Sequence, residues 1–419
     1  MNRMYAHRRV DLLTFPLLLS AFTVSINDVM VVIQLAVLAL CLFAFFLTRG
    51  DTMGYKVDGA FCLIGFLYAF PWVISSSLGV VSTMLGNDIQ IISGIDPWGR
   101  ILNLFLLTWY IISIGLIYPG SGKELGKSLS RAYLWGCIVL LLFAIWQALD
   151  FYTSFPIPFP FNTRSYVHSQ GDTGVHLIGR VTGFAAEPSY IAPFLVDGLI
   201  LSFYLINKKT VRNLVISLFL ITIVLTFSPS AYISLIVVGM VFFLYNSKKR
   251  LVFNIVFIVT IVLIIYGAYK SDSDIVRYFL HRISSYEESG RFQGVIGPID
   301  YMVENGSVLN LLFGFGIKSM GAFTSLNYSG FGFSTANNLF TDILFEAGIV
   351  GFGMYVGLFF LLFKMSLNNK KNPLPLFLST TLLVSSLYRS DYASLRFVAL
   401  LCIICCMAGG ENRKTSDHS

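Results

Sequence analysis

Charge is what this sequence has least of: Asp, Glu, Lys and Arg make up 12% of its 419 residues, about half the share of a soluble domain. That scarcity excludes an ordinary water-soluble fold. Cysteine is sparse as well, and Cys41, Cys62, Cys137, Cys402, Cys405 and Cys406 all fall inside apolar runs. They read as small apolar fillers, which excludes a disulfide framework and a zinc site. No small-x-small cleavage site follows Arg3, Arg8, Arg9 and the first apolar stretch, so that stretch is expected to be a membrane helix rather than a signal peptide. Internal repeats, a nucleophilic triad, a phosphate loop and a metal-spaced cluster are missing too. His168 and His176, eight apart in a loop, are a weak metal signal. No cofactor and no metal are expected. The net charge of +7 comes without a basic-aromatic groove, so no nucleic-acid partner is expected either.

What the chain has in abundance is apolar length, with 56% hydrophobic residues. Apolar runs lie near 11–23, 29–47, 59–83, 101–118, 132–149, 188–206, 213–227, 230–245, 251–268, 338–363, 374–388 and 394–410. The expected fold is all-α: a polytopic integral membrane protein of about 12 transmembrane helices, forming one membrane domain over 1–419. Lysine and arginine concentrate in alternate short connections, among them Arg49 and Lys56, Lys123 to Arg131, Lys208 to Arg212, Lys248 to Arg250, and Lys364 to Lys371. By the positive-inside rule both termini are cytoplasmic.

Two outer loops are long on that topology, 150–187 and 269–337, and long loops in compact proteins are commonly functional. The first is rich in proline and aromatics (Phe151 to Phe161), then polar, with Arg164, His168, Asp172, His176 and Arg180. The second is a large loop expected to contain short amphipathic helices. Ser271 to Asp274 supply capping residues for one over about 274–288, which places Ile275, Tyr278, Phe279, Ile283 and Tyr286 on one face. Arg282 falls in the middle of that face, where it either snorkels to a headgroup or points into a buried anionic site. Gly290-Arg291 leads into a second short helix that ends at Asn305-Gly306.

The stretch Arg180-Val181-Thr182-Gly183-Phe184-Ala185-Ala186-Glu187-Pro188-Ser189 puts an arginine and a glutamate at the mouth of a membrane helix. Pro188 suits the first turn, so Glu187 sits where the chain enters lipid. It either complements the helix dipole or acts as a general base. Arg180, Arg277, Arg282 and Arg291, with His168, His176 and His281, form a cationic set beside it, and guanidinium forks bind phosphate oxygens in pairs. The aromatics of the first loop either stack on sugar faces or are buried at the interface. Within spans, Asp197 stands alone, while Asn338, Asp342 and Glu346 share one helical face at i, i+4 and i+8. Arg396 with Asp391 reads as a structural ion pair. A transporter built from repeated halves would concentrate polar residues at midplane; here they concentrate in outer loops.

These residues carry a resemblance. The chain resembles the O-antigen polymerase and ligase superfamily through Arg180-x-x-Gly183-x-x-x-Glu187-Pro188-Ser189, Thr226-Phe227-Ser228-Pro229-Ser230-Ala231 and Gly290-Arg291. Phe313-Gly314-x-Gly316 and Asn338 through Glu346-x-Gly348-x-x-Gly351 complete the set. The match covers about 175–365. It implies a glycosyltransferase in the bacterial inner membrane, its active site facing the periplasm, that uses an undecaprenyl-diphosphate-linked glycan. A chain-length regulator and a flippase are implied as membrane partners. Glu187, Arg180 and Arg291 are the expected catalytic residues, and Arg277, Arg282, His281, His176, Asn338 and Glu346 the expected substrate contacts. Ligases of the superfamily carry His-Asn where Asn337-Asn338 stands, and an arginine where Pro229 stands; both departures point to the polymerase branch. A ligase is the alternative enzyme, and a lipid-linked oligosaccharide flippase the alternative of another class. The resemblance gives no role to Asn337 or to the turn from Ser228 to Ser230.

Overall fold

Proline and glycine, more than polarity, decide where the apolar runs become separate helices. The computed structural model describes residues 9–25, 28–48, 57–84, 98–153, 156–161, 179–246, 290–321, 323, 335–369 and 371–409. Among them no strand forms, and extended pairing is limited to one isolated bridge between Ser25 and Ala185. A 3-10 segment, Phe15–Val24, carries Pro16 in its first turn. It is followed by α1 (Asp28–Leu47), α2 (Gly59–Met84) and α3 (Trp98–Tyr152). Next come α4 (Pro188–Leu205), α5 (Lys209–Leu225) and α6 (Pro229–Asn246). The second long loop contributes α7 (Gly290–Asn305) and α8 (Val308–Phe313). The C-terminal part is α9 (Leu339–Asn368), α10 (Leu374–Ser386) and α11 (Leu395–Ala408).

The 55-residue α3 is two spans. Pro119 withdraws a backbone donor, and Gly122 takes φ 38°, ψ −117°, which no helix tolerates. The chain reverses there. Tyr110, before the break, donates its hydroxyl to the Leu13 carbonyl, while Gly136, beyond it, packs against the Leu17 carbonyl. In one straight helix those two residues would stand about 39 Å apart.

Six stretches are long and apolar enough to cross a bilayer: Val29–Leu47, Gly59–Ser77, Trp98–Pro119, Gly122–Tyr152, Pro188–Leu205 and Leu339–Asn368. Three further apolar helices, Pro229–Tyr245, Leu374–Ser386 and Leu395–Ala408, have only 10–17 residues. Against the expected count of about 12, six full-length helices occur among the described residues. That count takes each apolar run as helical throughout, whereas the run 374–388 loses its end to a turn at Leu387 and α11 waits for its cap, Ser394. The run 251–268 and the amphipathic helix over 274–288 lie outside the described residues.

Every residue from Leu395 to Met407 is buried, and all but Arg396 are apolar, so α11 stands inside the bundle. It packs on α3, α10 and α9. The helix ends sort into two sets. At one end the Ala186 N–H donates to the Val24 carbonyl (3.2 Å), the Val181 N–H to the Leu225 carbonyl (3.0 Å), and Asn338 Nδ2 to the Leu387 carbonyl (3.1 Å). At the other the Asp58 N–H donates to the Gly115 carbonyl and Asn369 Nδ2 to the Met407 carbonyl. The connections that carry Lys123, Lys127, Lys208, Lys209 and Lys371 belong to this second end. The first end holds Arg180, Glu187 and Asn338 and carries none of these lysines.

Candidate functional site

The stretch from Arg180 to Glu187 is held by a residue that belongs to none of the sequence motifs. Gln147, 1% exposed near the end of α3, accepts from the Thr182 and Gly183 N–H groups at 2.6 and 2.8 Å through Oε1. Its Nε2 donates to Thr182 Oγ1 at 3.1 Å. Gly183 sits at φ 57°, a conformation that favours glycine, with Leu140 and Ile191 against the place a Cβ would take. A glutamine inside the apolar run 132–149 is the one sequence signal of this role. Arg180 is buried, and its Nε lies 3.4 Å from the Thr226 carbonyl. That contact joins the first motif to the Thr226–Ser230 turn.

At the turn, Phe227 adopts φ 45°, an uncommon conformation for an aromatic residue and a mark of local strain. Ser228 and Ser230 bond hydroxyl to hydroxyl at 2.8 Å. Pro229 opens α6, where its missing N–H has no partner to lose. Glu187 is the half-buried N-cap residue of α4, with extended backbone. Its side chain makes no capping hydrogen bond; the carboxylate instead accepts from Ser189 Oγ at 3.3 Å.

The Asn337-Asn338 pair has a backbone explanation. Asn337 takes φ 54°, which asparagine tolerates better than most residues. Asn338 caps α9, its Oδ1 accepting from the Phe340 and Thr341 N–H groups. Tyr190, in the first turn of α4, points its hydroxyl at Asn337 Oδ1, 3.5 Å away. Asp342 and Glu346 follow one turn and two turns on, exposed by only 1% and 2%. The Ala336 N–H donates to Asp342 Oδ1 at 2.7 Å. Tyr392 donates to Glu346 Oε2 at 2.7 Å and accepts from Arg100 Nη1 at 2.9 Å. Arg100 thus reaches Glu346 through a tyrosine, a link between positions far apart in sequence.

Glu346 is also where α9 breaks. Gly348 sits at φ 68°, ψ −169°, and the freed backbone is taken up by the 313–316 segment. The Phe315 and Gly316 N–H groups donate to the Phe345 and Glu346 carbonyls at 2.9 and 3.1 Å. A Cβ on Gly314 would strike the Glu346 backbone, and one on Gly348 the Leu312 and Phe313 backbone. Two motifs of the sequence thus interlock through glycines. Above the junction, Met302, Phe315, Met320, Phe323, Ala336 and Phe345 form a small core that seats α7 and α8 on the first half of α9.

Arg180, Glu187, Asn338 and Glu346 therefore lie at one end of the bundle. Arg291 lies in the first turn of α7. His176, Arg277, His281 and Arg282 lie outside the described residues. In the first loop, Phe159 and Phe161 pack on Trp146, Phe143 and Phe184, so these two rings are used in packing. No group of three or more His, Cys, Asp or Glu side chains suited to a metal occurs among the described residues. Arg396 and its expected partner Asp391 are 2.8 Å apart, and Asp197 joins them as a second partner at 2.9 Å. Compared with protein-family models and with curated protein sequences, the chain matches none.

Proposed function

We propose that this chain is a membrane glycosyltransferase that polymerises undecaprenyl-diphosphate-linked repeat units into O-antigen or a related surface polysaccharide at the periplasmic face of the bacterial inner membrane. One observation carries the reading. Stretches near 180–189, 226–230, 313–316 and 338–351, singled out in the sequence as an ordered set, meet at the end of the bundle opposite the connections that carry Lys123, Lys127, Lys208, Lys209 and Lys371. In the reaction, the hydroxyl of the incoming unit attacks the anomeric carbon of the donor glycan. A new C–O bond forms, the bond to the diphosphate breaks, and its electron pair leaves on the diphosphate oxygen. Glu187 takes the hydroxyl proton. Arg180 and Arg291 counter the charge on the departing diphosphate, a task guanidinium forks perform without a metal. Asn338, Glu346 and the loop residues His176, Arg277, His281 and Arg282 bind substrate in the same proposal.

Glycan analysis of a strain lacking the gene tests it. The expected result is surface lipid that carries a single repeat unit, because ligation proceeds without polymerisation. Loss of the single-unit species as well would assign the chain to ligation or translocation and end the polymerase reading.

A further inference from the structure

A pocket of about 200 Å³ lies between α1, the first turns of α3 and the turn 389–395, apart from the residues assigned above to the transfer. A volume of that size holds several waters, or one phosphate group with a water or two. Its polar wall is made by Gln34, Arg100, Asn103, Arg389 and Asp391. Asn103 is committed, donating Nδ2 to the Ala393 carbonyl at 2.7 Å. Gln34 is not. It is 1% exposed, and neither its Oε1 nor its Nε2 has a hydrogen-bond partner. A buried amide in that state is costly unless something in the pocket meets it.

The two arginines are held in a way that leaves donors over. Arg100 donates Nη1 to the Tyr392 hydroxyl and lies 5.3 Å from the centre of that ring. Arg389 donates Nη1 to the Tyr190 carbonyl at 2.8 Å and lies 5.0 Å from the Tyr190 ring. Neither forms an ion pair with a carboxylate among the described residues. Each guanidinium has five N–H donors, so most remain for a ligand. Asp391 is the one carboxylate among the described lining residues; its Oδ2 pairs at 2.8 Å with Arg396, which it shares with Asp197, and its Oδ1 has no hydrogen-bond partner. The wall therefore keeps two guanidinium groups with N–H donors to spare, neither in direct contact with a carboxylate among the described residues, beside an unused amide.

We propose that this pocket binds a phosphate-bearing group, with Arg100, Arg389 and Gln34 as its hydrogen-bond donors. Paired guanidiniums match phosphate oxygens in geometry and charge, and the amide supplies a neutral donor. The depth suits a group carried on a lipid: Gln34 lies about 9 Å along α1 from Asp28, inside the span Val29–Leu47. In the polymerase reading this is the second diphosphate site that a reaction between two lipid-linked substrates requires; the binding itself is argued without that reading.

The test is a binding measurement that needs no turnover. The purified full chain, in nanodiscs of zwitterionic lipid, is unfolded thermally while undecaprenyl diphosphate, phosphatidylglycerol or inorganic pyrophosphate is titrated in. A saturable rise in melting temperature is expected with at least one probe, and the probe that acts tells whether the group comes from an isoprenoid, a phospholipid or free solution. Gln34→Leu should weaken that binding by about tenfold or more. The unliganded Gln34→Leu protein should melt no lower than wild type, because leucine removes a buried amide that has no partner. Arg389→Lys should also weaken binding, since lysine lacks the fork. No shift with any probe, an undiminished shift in Gln34→Leu, or a Gln34→Leu protein that melts lower without ligand would each overturn the proposal.

Discussion

A helix N-cap residue usually lends its side chain to the first orphan N–H groups, and Glu187 does not: its carboxylate accepts from Ser189 Oγ rather than from the backbone of α4. As a dipole partner alone it is worth roughly 1 kcal/mol. As a base it is worth about 10² or more in rate. Glu187→Gln separates the two, because it preserves size and polarity and removes basicity. The expected outcome is normal abundance with turnover of lipid-linked repeat units down by about 10² or more. Near wild-type polymer from the purified glutamine variant would remove Glu187 from the chemistry. Arg180→Lys is expected to retain the protein and lose most polymer, since the Nε that reaches the Thr226 carbonyl and the paired N–H groups vanish together. Full polymer length from the lysine variant would show that the fork is not needed. Both residues are visible in the sequence as charges at a membrane mouth. Gln147, which fixes the loop between them, shows in the sequence only as a polar residue inside an apolar run, because its partners are backbone groups 35 and 36 residues away.

At the scale of elements, the break in α9 is the feature that joins the 313–316 and 338–351 stretches of the candidate site. Gly348 frees the Phe345 and Glu346 carbonyls, and the 313–316 segment uses them. Ala at Gly314 or Gly348 meets backbone, which cannot swing aside, and both positions hold positive φ, at 80° and 68°. Each substitution should cost about 3 kcal/mol or more and uncouple α8 from α9. Gly353, also in α9, has nothing within 4 Å of the place a methyl group would take, so Gly353→Ala should change stability by no more than about 1 kcal/mol, in the stabilising direction. Thermal unfolding of the purified variants checks the contrast; equal losses at all three glycines would refute the interlock. The sequence presents these glycines only as a pattern, since a backbone-to-backbone approach between 314 and 346 has no local signature. Helix starts are more legible. Pro188 and Asn338 announce α4 and α9, and Asn338 proves to be a cap rather than a member of the helical face, because its side chain closes on Phe340 and Thr341.

For the molecule as a whole, one ion network ties together helices that the sequence keeps far apart. Arg396 on α11 donates Nε to Asp197 on α4 at 2.9 Å and Nη1 to Asp391 at 2.8 Å, with a further bond from Nη1 to Ser385 on α10 at 3.1 Å. Tyr133 on α3 donates to the same Asp197 oxygen at 2.8 Å. The arginine is fully buried, and the Phe194 ring lies 5.7 Å from its guanidinium carbon. Asp197 and Arg396 stand out in the sequence as opposite charges inside spans, but 199 positions separate them and only the fold pairs them. Removing one partner of a buried pair strands the other, at a cost of about 3–5 kcal/mol. The stoichiometry orders the variants. Arg396→Met strands two carboxylates and should be the most damaging; Asp197→Asn leaves one arginine with one aspartate and keeps a hydrogen-bonding group for Tyr133, so it should be the mildest. Combining the two should cost less than the sum of the single changes, because methionine no longer needs Asp197 and asparagine no longer repels Asp391. Abundance and thermal unfolding in detergent should follow this order, while, under the proposed polymerase function, polymer made per folded molecule stays near wild type. An Asp197→Asn protein that folds as well as wild type yet makes no polymer would move this network from architecture to chemistry.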